Sequence, residues 1–193
     1  MGNRAAMPDQ FEDEFKQLLE TMKKAARALR DAGIPHALGG GLASWARGGP
    51  QSEHDVDFLV KPEDAERAQQ ALGEAGFHTE RPPEPWLLKA FDGDILVDLI
   101  FQPRGGAVDD ELLGRSEELE VAAMRLPVVR LEDLLVQKLL ALTEQNPDYS
   151  SVLEIARALR EQIDWAEVRR RTAHSPFAQA FFTLLHELDI VQK

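Results

Sequence analysis

Three aspartates in apolar segments are the residues of this 193-residue chain whose type and spacing could do chemistry. Asp55 and Asp57 alternate with apolar residues in the segment DVDFLV, and Asp98 lies in the middle of a second apolar segment, ILVDLIF. Because successive side chains of a strand point to opposite faces, Asp55 and Asp57 are expected on the same side of one strand. Like charges so close together are costly unless a cation lies between them. Carboxylate oxygens suit a hard divalent ion, so the pattern predicts a metal site.

Each aspartate motif also has a simpler interpretation. An Asp-x-Asp pair is commonly two solvated turn residues, and Asp98 could have a structural partner such as Arg104 or a backbone cap. An isolated carboxylate in a buried strand is prohibitively expensive, however, and Asp is depleted in strands. Three acids on two predicted strands therefore favour the metal site of Asp55, Asp57 and Asp98.

A glycine run, Gly39-Gly40-Gly41, precedes the first acidic strand and opens a predicted short helix. The free backbone N–H groups at a helix N-terminus attract phosphate. The candidates for phosphate contact are Gly40, Gly41, Ser44, Arg47 and Lys138. Ser44 is equally interpreted as a small packing residue and Arg47 as a solvated loop residue. Lys138 lies on an apolar helix face, where it either extends to water or directs its charge at a phosphate.

The combination of Gly40-Gly41, a short helix, Asp55-x-Asp57 and the later strand residue Asp98 resembles the polymerase-β-like nucleotidyltransferase superfamily. The resemblance covers roughly residues 34–102, with a weaker similarity to about residue 160. It is greatest to small stand-alone bacterial members: minimal, aminoglycoside and lincosamide nucleotidyltransferases, and the nucleotidyltransferase-like proteins of toxin–antitoxin pairs.

The resemblance implies a chemical reaction and its cofactors. A nucleoside triphosphate such as ATP would bind with Mg²⁺ or Mn²⁺, and a nucleoside monophosphate would pass to an acceptor hydroxyl with release of pyrophosphate. Asp55 and Asp57 would hold the metal, and Asp98 would either hold a second ion or accept the hydroxyl proton. The acceptor would be a small molecule, a protein or an RNA end.

The sequence departs from the family pattern just before the acidic pair. Many relatives carry an arginine and a hydroxyl residue there, whereas this chain has Gln51 at the arginine position and Ser52 one place early. His54 is a further candidate for a ligand or hydrogen-bond donor beside the metal. These departures keep an alternative function open, that of an antitoxin-type interaction protein with a protein partner and weak or no catalysis.

The net charge of the chain limits the classes of binding partner that are expected. A formal net charge of −12 argues against a broad nucleic-acid surface and favours a cationic acceptor or partner. The chain has no cysteine, no apolar stretch long enough for a membrane span and no apolar signal-peptide region at its start. A cytoplasmic protein without membrane contact is therefore expected.

The periodicity predicts an α/β (α+β) fold, with a mixed nucleotidyltransferase-type sheet flanked by helices and a C-terminal helical bundle. We expect an N-terminal helix in residues 1–32, a core in residues 33–130 and a C-terminal helical region in residues 131–193. An Asp-Gly pair at Asp92-Gly93 predicts a hairpin. The last strand, Leu126–Val129, is expected at the sheet edge.

Overall fold

The computed structural model describes residues 7–51 and 55–191, so Ser52 and His54 lie outside the described residues. Its helices and strands alternate in the first two thirds of the chain, and helices alone follow. The strands are β1 (His36–Leu38), β2 (Asp55–Val60), β3 (His78–Glu80), β4 (Leu87–Asp92), β5 (Ile95–Ile100), β6 (Glu117–Val121) and β7 (Met124–Val128). The helices are α1 (Met7–Asp31), α2 (Gly40–Trp45), α3 (Ala65–Glu74), α4 (Asp110–Gly114), α5 (Leu131–Ala141), α6 (Ser150–Leu159), α7 (Trp165–Arg171) and α8 (Pro176–Glu187).

The strands form a single mixed sheet in the order β3-β4-β5-β2-β1-β7-β6. β2 pairs with β5 in parallel and β1 pairs with β7 in parallel, whereas the other neighbours are antiparallel. The predicted α/β fold with a mixed sheet and C-terminal helices is confirmed. The two acidic strands, β2 and β5, are direct neighbours at the centre of the sheet.

One face of the central strands is packed against α1 and α3. Val56 and Phe58 of β2 pair with Val97 and Leu99 of β5, and all four side chains are fully buried. α1 supplies an apolar stripe, including Met22 and Leu29, that is buried against the sheet. Burial of this face fixes the strand register, because a slip of one residue would move the apolar side chains to the opposite face.

The prediction of a last strand at the sheet edge is wrong. β7 lies between β1 and β6, and the edge strand is β6, Glu117–Val121, which the sequence analysis did not identify. β6 and β7 are joined by Ala122 and Ala123, both in the left-handed conformation at φ 49° and 62°. Two-residue hairpin turns with positive φ usually carry Asn or Gly at those positions, so the two alanines give no indication of a hairpin in the sequence.

The C-terminal helices pack around α5, which contacts α2, α6, α7 and α8. Asp133 of α5 is almost fully buried and accepts hydrogen bonds from Arg115 and Arg171, which join α5 to the end of α4 and to α7. Burial alone would raise the pKa of Asp133, but these two hydrogen bonds together with the charges of the two arginines outweigh it and lower that pKa. The division of the chain at residue 131 stays a prediction.

Two helices in this region have side-chain caps at their N-termini. The Asp164 side chain accepts a hydrogen bond from the Glu167 N–H, and Ser175 accepts one from Ala178. No helix within the described ranges 7–51 and 55–191 combines the length and apolarity needed to cross a membrane.

Candidate active site

The glycine turn lies directly against the second acidic residue of β2. Gly39 donates a backbone hydrogen bond of 2.8 Å to the Asp57 carbonyl, which ties the end of β1 to β2. Gly40 has a φ of +56°, and a Cβ at this position would overlap the Asp57 carboxylate. Only glycine therefore allows the turn into α2 and the Asp57 side chain to occupy the same corner.

Strand pairing brings the three aspartates together. Asp57 pairs with Asp98 across β2 and β5, and Asp55 lies two residues before Asp57 on the same face. One carboxylate oxygen from each aspartate lies within 4.8 Å of one from each of the other two. The convergence expected from the sequence is present in the structure.

The surroundings of the cluster oppose its negative charge. Burial, followed by the charges of Asp55 and Asp98, raises the pKa of Asp57 to about 8, against the opposing charge of Lys138. Burial also raises the pKa of Asp98 to about 6, with the charges of Asp55 and Glu84 adding to it and that of Lys89 opposing it. The cluster therefore has an unmet requirement for positive charge.

The surroundings of Asp98 indicate whether the three aspartates fit a cation. The Asp98 side chain is 9% exposed, and its Oδ1 atom has no hydrogen-bond partner within the described part of the chain. An orphaned buried carboxylate oxygen facing two other carboxylates is the arrangement expected of a ligand for a hard divalent cation. The predicted alternative, a pairing of Asp98 with Arg104, is not found among the described residues.

Lys138 of α5 is the predicted phosphate ligand that lies next to the cluster. Its side chain is half-buried, and its charge acts on Asp57. α5, which carries Lys138, packs against α2, the helix that follows the glycine turn.

Ser44 and Arg47 have surroundings that do not fit a phosphate contact. Ser44 is 1% exposed, and its Oγ lies against Gly49 in the interior. The Arg47 guanidinium donates to the Val129 carbonyl at 2.9 Å and to Glu117 at 2.7 Å. Arg47 therefore joins the end of α2 to the ends of β7 and β6, because its donors are used within the protein.

Lys89 of β4 is a residue beside the site to which the sequence analysis assigned no role. It pairs with Asp98 across β4 and β5, so both side chains lie on the same face. The two-residue loop is Gly93-Asp94, one residue later than the predicted Asp92-Gly93 turn, which would have placed Lys89 opposite Leu96. Glu84, on the segment before β4, is exposed and acts on the same carboxylate.

Comparisons with known proteins give a family and a fold. The model of a family described as "Uncharacterised nucleotidyltransferase" matches residues 9–189. Among curated proteins, no sequence matches this chain.

Three solved structures share the fold. ANT(2")-Ia in complex with adenylyl-2"-tobramycin is 15% identical, with 86% of this chain and 99% of that chain covered and a TM-score of 0.63. An antigenic nucleotidyltransferase-like protein from Paracoccidioides brasiliensis is 16% identical, with 94% of each chain covered and a TM-score of 0.53. The lincosamide antibiotic adenylyltransferase LnuA, lincomycin-bound, is 16% identical, with 79% and 98% covered and a TM-score of 0.50. At these identities the likeness concerns the fold alone.

Proposed function

The chain belongs to the family described as uncharacterised nucleotidyltransferases, and from that premise we propose that it transfers a nucleoside monophosphate to the hydroxyl of a small molecule with the aid of a divalent cation. It is an enzyme of the nucleotidyltransferase type. The observation that carries the proposal is the convergence of Asp55, Asp57 and Asp98 within 4.8 Å beside a glycine turn that leaves room for Asp57.

Asp55, Asp57 and Asp98 would hold Mg²⁺ or Mn²⁺, which when bound would offset their charge and that of the phosphates. The raised pKa values of Asp57 and Asp98 support this role, because a carboxylate that resists ionisation in the protein alone is stabilised by a nearby cation. The use of Mg²⁺ or Mn²⁺ stays a prediction.

The triphosphate would lie on the side of the glycine turn. Gly40 and Gly41 open α2 with backbone N–H groups that have no partner inside the helix, and Lys138 would add a positive charge on the same side. Ser44 and Arg47 have no part in this proposal, because Ser44 is buried and the Arg47 guanidinium bonds to Val129 and Glu117.

The reaction would be an in-line displacement at the α-phosphorus. A bond would form from the acceptor hydroxyl oxygen to phosphorus while the bond from phosphorus to the pyrophosphate oxygen breaks. Asp98 is placed for either of its two predicted roles, as a metal ligand or as the acceptor of the hydroxyl proton. A pKa of about 6 would make Asp98 a stronger base than an ordinary aspartate.

A cationic acceptor fits the electrostatics. The net charge is −12, and the charge of the exposed Glu84 carboxylate acts on Asp98. The fold relative ANT(2")-Ia carries adenylyl-2"-tobramycin in its structure. A small molecule with amino groups and a free hydroxyl is therefore the acceptor class that we propose.

The test is a thermal-shift panel of the four ribonucleoside triphosphates, each with and without Mg²⁺. A triphosphate at a hundred times its Kd should stabilise the protein by about 2.7 kcal/mol, and only when the metal is present. The Asp57→Asn variant should remain folded and show no such shift. Absence of a metal-dependent shift with every triphosphate would refute the proposal.

The alternative function is that of an antitoxin-type interaction protein. Such a protein would not need a complete metal cluster, so the intact triad favours the enzyme.

A further inference from the structure

A row of charged side chains crosses the open face of the sheet. Asp57 pairs with Asp98, Asp98 with Lys89, and Lys89 with Glu80, on four successive strands. Residues directly opposite one another on paired strands share a face. Lys89 is therefore the next side chain beyond Asp98, on the side away from Asp57 and the glycine turn.

Lys89 has acidic neighbours on both sides but no ion pair. It is half-buried, and no carboxylate oxygen lies within 4.0 Å of its ammonium group among residues 12–51 and 55–191. Its charge nevertheless acts on Asp98. The ammonium group of Lys89 therefore has donors that are not used by a carboxylate and can bind water or a ligand.

The surrounding face is accessible to a ligand. Leu96 and Ile100 share the face of Asp98 and are only half-buried, whereas the alternate residues Val97 and Leu99 are fully buried under α1 and α3. The sheet thus presents Lys89 and Asp98 on a partly open surface.

Lys138 and Lys89 act on different carboxylates of the acidic cluster. The charge of Lys138 acts on Asp57, which lies against the glycine turn, whereas that of Lys89 acts on Asp98 from β4. In the proposed function the glycine turn holds the triphosphate and Asp98 serves the reacting hydroxyl or a second ion, so Lys89, in register with Asp98, is placed nearer the phosphoryl group being transferred than the pyrophosphate.

We propose, on the basis of the proposed function, that Lys89 is a further catalytic residue that binds the phosphoryl group being transferred, whereas Lys138 binds the departing pyrophosphate. Lys89 keeps its proton throughout and exchanges none with the substrate. Its charge stabilises the equatorial oxygens of the phosphoryl group while the bond to the acceptor oxygen forms and the bond to pyrophosphate breaks.

The experiment separates the two halves of the substrate. Binding of adenosine, guanosine, cytidine and uridine monophosphates and of inorganic pyrophosphate, each with Mg²⁺, is measured by ³¹P NMR titration. Lys89→Met should weaken binding of the preferred monophosphate by about 10-fold or more and leave pyrophosphate affinity unchanged, because a charge-assisted hydrogen bond is lost at one group only. Lys138→Met should do the reverse, and Lys89→Arg should retain most of the monophosphate affinity.

Lys61→Met is the matched control. Lys61 follows the far end of β2 and is comparably shielded at 18% exposure, but it is paired with Glu63 and Asp110. This variant should bind both probes as the parent protein does. Equal binding of the monophosphate by the parent protein and Lys89→Met would overturn the inference, as would an equal loss of both probes in Lys89→Met. If the parent protein binds neither probe, the proposed function itself fails.

Discussion

Asp98→Asn is expected to make the metal-free protein more stable while removing its activity. In the folded protein the pKa of Asp98 is raised from 3.8 to about 6, mainly by burial. An acid with a raised folded pKa binds more protons folded than unfolded between those two values, so stability falls as the pH rises through that window. Above about pH 7 the ionised Asp98 should cost about 3 kcal/mol, at 1.36 kcal/mol per pKa unit.

The neutral amide removes this cost. In EDTA at pH 8 the variant should therefore unfold about 6–12 °C above the parent protein, since 1 kcal/mol corresponds to about 2–4 °C in a domain of this size. The difference should vanish below about pH 4, where both states of the parent protein are protonated at this residue. Scanning calorimetry at pH 4, 6 and 8 measures it.

Asp94→Asn is the control, because it removes one negative charge, as Asp98→Asn does, but from an exposed residue in the turn before β5. It should change the melting temperature little at any of the three pH values. Mg²⁺ should stabilise the parent protein and the control but much less the Asp98→Asn variant. A variant that is less stable than the parent protein in EDTA at pH 8 would refute the electrostatic account of Asp98.

Three further substitutions test other parts of the structure. Gly40→Ala should lower the free energy of unfolding by more than Gly33→Ala in urea denaturation, because both glycines have positive φ but only Gly40 has a carboxylate where the methyl group would lie; equal losses would contradict the close packing of the turn. Asp133→Ala should destabilise by about 3 kcal/mol at pH 7, since Arg115 and Arg171, both partly buried, lose the acid that they share. Because the folded pKa of Asp133 is lowered, this difference in stability should be present above about pH 4 and be lost as the pH falls through the folded pKa. Acid titration of the parent protein and the variant measures it. Arg47→Ala should lower stability and leave triphosphate affinity in calorimetric titration unchanged, whereas weaker nucleotide binding would restore its predicted phosphate role.

Local pattern was sufficient for the acidic strands and the family. The alternation of Asp55 and Asp57 with buried residues predicted their shared face, and the apolar neighbours of Asp98 predicted a strand. The resemblance to the polymerase-β-like superfamily, based on Gly40-Gly41 and these acids, is confirmed by the family match over residues 9–189.

Long-range contacts explain what the sequence did not predict. β6 reads EELEV and joins β7 through two alanines, so neither its composition nor its turn indicates a strand. Arg47 looked available for phosphate because its partners, Val129 and Glu117, are some 70 to 82 residues away in sequence. The position of Lys89 beside Asp98 depends on the pairing of β4 with β5, which a single residue type does not reveal.

Manganese titration followed by electron paramagnetic resonance tests the central claim most directly. In the absence of nucleotide, which would itself bind the ion, the parent protein should bind Mn²⁺ through Asp55, Asp57 and Asp98, with loss of the signal of the free ion. Asp57→Asn, folded by circular dichroism, should leave most of the ion free. Equal Mn²⁺ binding by the two proteins would contradict a metal site at these aspartates.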